Sequence, residues 1–140
     1  AHGCGKRLLI HLDLTAGLGK DASGIAFAAE AGVDGIISTR VGLIKLAKEH
    51  GLLTVQRFFI VDPHSIDTTV DSLKNSKADM IELMPGIAPK IIERIGGIVN
   101  VPIIAGGLIE TKQEVKVALQ SGACAISTGA QALWSTDARP

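Results

Sequence analysis

Val101-Pro-Ile-Ile-Ala-Gly-Gly107 is an apolar run halted by two glycines, and Ala123-Cys-Ala-Ile-Ser-Thr-Gly129 ends in the same way with hydroxyls added. Both faces of each run are apolar, which predicts a buried parallel strand. Between them, Thr111 to Ser121 predicts a helix, because Thr111 with Glu114 forms a capping box. Strand ends made of small residues let backbone N–H groups approach an anion, and the positive end of the following helix favours one. In eight-fold β/α barrels a phosphate often sits on the loops after the last two strands. Gly106, Gly107, Ser127, Thr128 and Gly129 are therefore the candidate phosphate site. The plainer alternative is that small residues only let each strand turn tightly.

Upstream, the same strand–turn–helix rhythm repeats. Strands are expected at Arg7 to Asp13, Gly35 to Thr39, Leu53 to Val61 and Asp79 to Leu83. Helices are expected at Asp21 to Ala31, Val41 to His50, about His64 to Asn75, and Pro89 to Ile95, with a short one starting at Gln131. Asp21 is the natural N-cap of the first helix and Gly32 its stop. Strands alternating with helices force parallel pairing. The expectation is an α/β fold of about six βα units in one domain over residues 1–140. It is either an open sheet of about six strands or a TIM-like (β/α) barrel lacking two units.

Composition narrows the function. With 14 basic and 14 acidic side chains the formal charge is zero. Net charge therefore lends no support to broad nucleic-acid binding, which runs on phosphate neutralisation. Cys4 and Cys124 lie far apart in contexts that suit reduced thiols and a cytoplasmic protein, with Cys124 expected as a small buried hydrophobe. No apolar run approaches the roughly 20 residues that span a bilayer, and no secretory leader is legible at the start. The four histidines show no metal-ligand spacing, so no metal is expected.

Several polar residues sit where strand ends should lie. His11 and Asp13 share one face of their expected strand, by period-two alternation. They are either two groups in a ligand cleft or a pair satisfied by its neighbours. Glu82, within Met-Ile-Glu-Leu-Met, is costly to bury unless it is paired or used. Gln56 and Arg57 are consecutive strand residues, so one of them faces inward; Arg57 can neutralise Glu82 or hold an anion through its planar fork. Arg40, Lys45 and Lys48 come nearest to a basic cluster. Trp134 is expected to pack the last helix down.

Taken in order, Ile10-His-Leu-Asp-Leu14, Gly17-Leu-Gly-Lys-Asp21, Asp34-Gly-Ile-Ile-Ser-Thr-Arg40, Ile81-Glu-Leu-Met-Pro-Gly86, Pro102 to Ile109 and Ile126-Ser-Thr128 with Leu133-Trp134 form a set. This set resembles the bacterial glycerol uptake operon antiterminator regulatory proteins over nearly the whole chain. The resemblance implies a β/α barrel that responds to glycerol 3-phosphate. It also implies binding to leader mRNA, so that transcription runs past a terminator into glycerol-metabolism genes. It carries Gly106, Gly107, Ser127 and Thr128 to the phosphate side, and His11, Asp13 and Glu82 to the polar mouth. No cofactor is implied beyond the effector.

Three departures from the family pattern are expected. The chain begins where the pattern has already completed about two βα units, which implies exposed sheet edges or closure by a second copy in a homo-oligomer. Glu110 stands in place of a basic residue, and Gly129 in place of a hydroxyl. The competing function is a barrel enzyme acting on a small phosphorylated substrate, with His11, Asp13 and Glu82 as acid–base groups. A third is a barrel that keeps phosphate binding and has no RNA role.

Overall fold

A computed structural model describes residues 1–137. It contains β1 (Leu9–His11), α1 (Ala22–Glu30), β2 (Gly35–Ser38), α2 (Val41–Glu49), β3 (Leu53–Phe59), α3 (Pro63–Ser76), β4 (Met80–Met84), α4 (Pro89–Gly96), β5 (Ile103–Gly106), α5 (Lys112–Gln120) and β6 (Ala125–Ser127). The sheet order is β1-β2-β3-β4-β5-β6, with no reversal. A doubly wound sheet reverses its order at a switch point, whereas a β/α barrel keeps chain order throughout. The order therefore decides for the TIM-like class. The residues group into two compact units, one of residues 1–57 with 71–79, the other of residues 58–70 with those from Met80 onward.

In the first unit β1 pairs parallel with β2 and β2 with β3, placing Ile10 beside Ile36 and Ile37 beside Val55. The helices present apolar residues three and four apart, as a 3.6-residue turn requires. Ile25 and Ala28 of α1, and Leu43 and Ala47 of α2, close over Leu12 and Ile36. Burying each Leu or Ile there contributes about 1.5–3 kcal/mol. Asp21 caps α1 as expected, accepting from the Gly24 N–H at 3.1 Å.

The outer face of β3 is polar. Asp79 Oδ2 accepts from both the N–H and the hydroxyl of Thr54, at 2.9 and 2.8 Å. The Ser76 hydroxyl donates to Gln56 Oε1 at 2.5 Å. Gln56 thus faces the end of α3, and alternation turns Arg57 to the opposite side of β3.

In the second unit β4 pairs with β5 and β5 with β6, so that Ile81 lies beside Ile103 and Ala105 beside Ile126. Ile92 and Ile95 of α4, with Val115 and Ala118 of α5, are buried. The predicted capping box of α5 is formed in full.

Three expectations are corrected. β1 stops at His11, and Leu12–Leu14 form one 3-10 turn, so His11 and Asp13 do not share a strand face. Leu12 is drawn wholly into the core, and the Asp13 carboxylate is claimed by hydrogen bonds from the end of β2, which together override the strand period. Cys124 is exposed rather than buried, because its neighbour Ala123 takes the inward position. Trp134 is 68% exposed rather than packed down, and is tied by its indole N–H, which donates to the Thr128 carbonyl at 2.9 Å.

Candidate functional site

At the mouth of the first unit, Asp13 joins the 3-10 turn to the end of β2. Its Oδ1 accepts from the Ser38 hydroxyl at 2.8 Å, and its Oδ2 from the Thr39 N–H at 2.9 Å and the Thr39 hydroxyl at 3.0 Å. Ser38 Oγ in turn accepts from the Arg40 N–H at 3.0 Å. Partial burial pushes the Asp13 carboxyl up, but the Thr39 N–H, the Ser38 and Thr39 hydroxyls and the charge of His11 outweigh it and hold the group below its ordinary value. Asp13 is therefore a carboxylate satisfied by its neighbours, and it fixes the geometry of the β1 and β2 ends. Ser38 and Thr39 complete this knot. Their signal in the sequence is a hydroxyl pair at a strand end two residues past Ile36, the partner of Ile10.

His11 closes β1 beside Ile37, with its carbonyl accepting from the Thr15 hydroxyl at 2.9 Å. Arg57 also belongs to this unit, on β3.

The second unit holds the glycine site. Gly106 and Ser127 are register partners, so the predicted strand ends finish level on adjacent strands. The turn after β4 is laced to them. The Gly86 N–H donates to the Gly106 carbonyl at 2.5 Å and to that of Gly107 at 3.1 Å. A Cβ on Gly86 would lie 2.8 Å from the Gly106 nitrogen, so only glycine permits this approach.

Glu82 is 2% exposed and engaged within the protein. Its carboxyl packs directly on Gly106, where an added Cβ would strike Oε1 and stand 3.1 Å from Cδ. Beyond β5 the backbone turns left-handed twice, at Gly107 (φ 81°) and at Leu108 (φ 61°). For Leu108, a γ-branched residue that is 66% exposed, this is a costly conformation with no burial to reward it.

The β6 end is fixed to the same loop. The Thr128 hydroxyl donates to the Ile109 carbonyl at 2.7 Å and accepts from the Ala130 N–H at 3.0 Å. That hydroxyl is thus engaged within the protein. An added Cβ on Gly129 would point into open space, so packing does not demand glycine there.

Just ahead of α5, Glu114 Oε2 accepts from the Glu110 and Thr111 N–H groups at 2.8 and 2.9 Å. These two bonds hold the Glu114 carboxyl below its usual range. A carboxylate from α5 itself thus sits beside the positive end of that helix. Among the described residues no group of three His, Cys, Asp or Glu side chains is placed to hold a metal ion. Among them, too, no helix is long and apolar enough to cross a membrane.

Comparison with known proteins follows the same lines. Residues 1–134 match the family model described as glycerol-3-phosphate responsive antiterminator. A glycerol uptake operon antiterminator regulatory protein from Listeria monocytogenes is similar at 40% identity and a TM-score of 0.88, over 95% of this chain and 72% of that one. A glycerol uptake operon antiterminator-related protein from Thermotoga maritima is similar at 32% identity and a TM-score of 0.85, over 96% of this chain and 77% of that one.

The protein YgcP of Escherichia coli is 34% identical over 94% of this chain and 69% of its own length. At 18% identity and a TM-score of 0.73, the deoxyribose phosphate aldolase of Aeropyrum pernix, over 93% of this chain and 67% of its own, shares the TIM-barrel-like fold alone. The chain belongs to the glycerol-3-phosphate responsive antiterminator family.

Proposed function

We propose that this chain is a non-catalytic, cytoplasmic regulator of transcription antitermination in glycerol metabolism. It binds glycerol 3-phosphate at the C-terminal ends of β5 and β6, and it binds leader mRNA. The observation that carries the reading is the level pairing of Gly106 with Ser127, with Glu82 packed against the first. The backbone of Gly106 to Leu108 and of Ser127 to Gly129 meets the phosphate. The Glu82 carboxyl accepts from a hydroxyl of the glycerol moiety. His11 and Arg57 lie in the first unit, so their substitution tests the expected polar mouth apart from this site. Linkage then requires that effector and RNA strengthen each other by the same factor.

Titration calorimetry with glycerol 3-phosphate and with glycerol tests the site. Heat of binding is expected from the phosphorylated ligand only. Equal heats from both, or none from either, overturn the assignment. Gel shifts of the leader transcript, with and without glycerol 3-phosphate, test the coupling; an affinity indifferent to effector ends it.

A further inference from the structure

A cleft of about 490 Å³ opens in the first unit between the C-terminal ends of α2 and α3, lined by Lys45, Lys48, Lys74 and Lys77, with Asn75 and Glu49. All four lysines are exposed, so this depression gathers four of the chain's 14 basic residues, with Glu49 the acidic residue of its lining. Lys45 and Lys48 are three apart on α2, which sets both ammonium groups on one side of that helix. Lys74 lies in the last turn of α3 and Lys77 just past its end. Like charges three apart on α2 oppose helix formation, and the two lysines at the end of α3 line the same cleft. Asp79 offsets Lys48, and a bound polyanion relieves the repulsion among the others.

The cleft is also fixed in shape. Lys45 Nζ donates to Asn75 Oδ1 at 2.8 Å, and Lys48 Nζ to Asp79 Oδ1 at 2.9 Å. Ser76, at its floor, is locked to Gln56. Lys77 is one of two non-glycine residues with positive φ among those described, at 53°, in the position after the helix where glycine or asparagine costs least. The chain carries the strain of a left-handed residue and keeps a lysine there. Strain of this kind collects where a side chain is needed in one place.

We infer that this lysine cleft is the surface that grips the phosphate ridge of a base-paired RNA stem. The inference rests on the antiterminator reading and locates its RNA partner. The lining holds no aromatic ring on which unpaired bases would stack, so it suits the backbone of a duplex. Lysine is a point charge, fit for phosphate and indifferent to sequence. Neutral overall charge is no obstacle, because the contact is local.

Fluorescence anisotropy on the full chain, with labelled leader transcript at several salt concentrations, tests this. The variants are Lys45→Ala/Lys74→Ala/Lys77→Ala, the same three sites changed to Arg, and a control with Lys90→Ala/Lys116→Ala outside the cleft. Each lost phosphate contact lowers the salt slope by about 0.7–0.9, so the alanine triple weakens binding about 50- to 170-fold near 0.15 M salt. The arginine triple retains binding, and the control is unchanged.

Calorimetric binding of glycerol 3-phosphate by the alanine triple shows that it remains folded. If wild type binds RNA and the alanine triple matches it in affinity and slope, the cleft is refuted and the antiterminator reading stands. The cleft is likewise refuted if the control loses as much as the triple. If wild type binds no RNA at all, the reading and the cleft fall together.

Discussion

Substituting Gly106 by alanine isolates the contact on which the proposed effector site depends. The added methyl would strike Glu82 Oε1 and stand 3.1 Å from Cδ and 3.3 Å from Cγ. Gly106 is not among the left-handed glycines, so alanine brings no backbone strain of its own. The strand cannot retreat, because the Gly86 N–H holds the Gly106 carbonyl at 2.5 Å. Glu82 must move instead, and it is 2% exposed with an interaction of its own to lose. Overpacking of this kind costs about 1–3 kcal/mol.

For a chain of 140 residues that is a fall in Tm of about 3–9 °C. Glu82→Ala removes the object of the collision. The double variant is therefore expected to lose less stability than the two single losses together, by about 1–2 kcal/mol. Urea denaturation of wild type, both singles and the double closes the cycle. Additivity within about 0.5 kcal/mol would refute the claim that Glu82 dictates glycine at 106. Glycerol 3-phosphate affinity, read on the same four proteins, is expected to fall in each variant.

Asp13→Asn replaces an acceptor facing the Thr39 N–H and hydroxyl, and is expected to cost about 1–3 kcal/mol in thermal unfolding. Because the folded state holds the Asp13 carboxyl low, its contribution is complete above the unfolded value near 3.9 and disappears as pH falls through the lower folded value. Acid titration by circular dichroism should show the wild-type advantage over Asp13→Asn shrinking below about pH 4; an advantage constant down to pH 2 would contradict the assignment. Leu108→Gly relieves a left-handed leucine worth about 1–2 kcal/mol and gives up little burial, so Tm should hold or rise by a few degrees. A fall of more than about 3 °C would mean the exposed side chain packs on something.

Local chemistry is legible in the sequence where it acts within a few residues. Asp21 and Thr111 cap their helices as their spacing requires. Gly106 and Ser127 finish level because two apolar runs of similar length enter one parallel sheet. The parts that sequence reading misplaces depend on partners far along the chain. Asp13 leaves the strand because Ser38 and Thr39, 25 and 26 residues on, supply donors that no local pattern announces. Thr128 turns its hydroxyl inward to Ile109, 19 residues back.

The capping box shows how a correct local reading can undo a functional one. Thr111 and Glu114 mark a helix start, and the α5 dipole alone would attract phosphate; both cannot hold in full. Glu114 satisfies the N–H groups of Glu110 and Thr111, ahead of α5, and so sets a negative charge beside the helix start that weakens the pull of its dipole on a second anion. A dianion bound as proposed is therefore held chiefly one step earlier, by the backbone that passes through two left-handed residues at Gly107 and Leu108. That places the demand for an unusual conformation, and its cost, on the segment that remains available to a ligand.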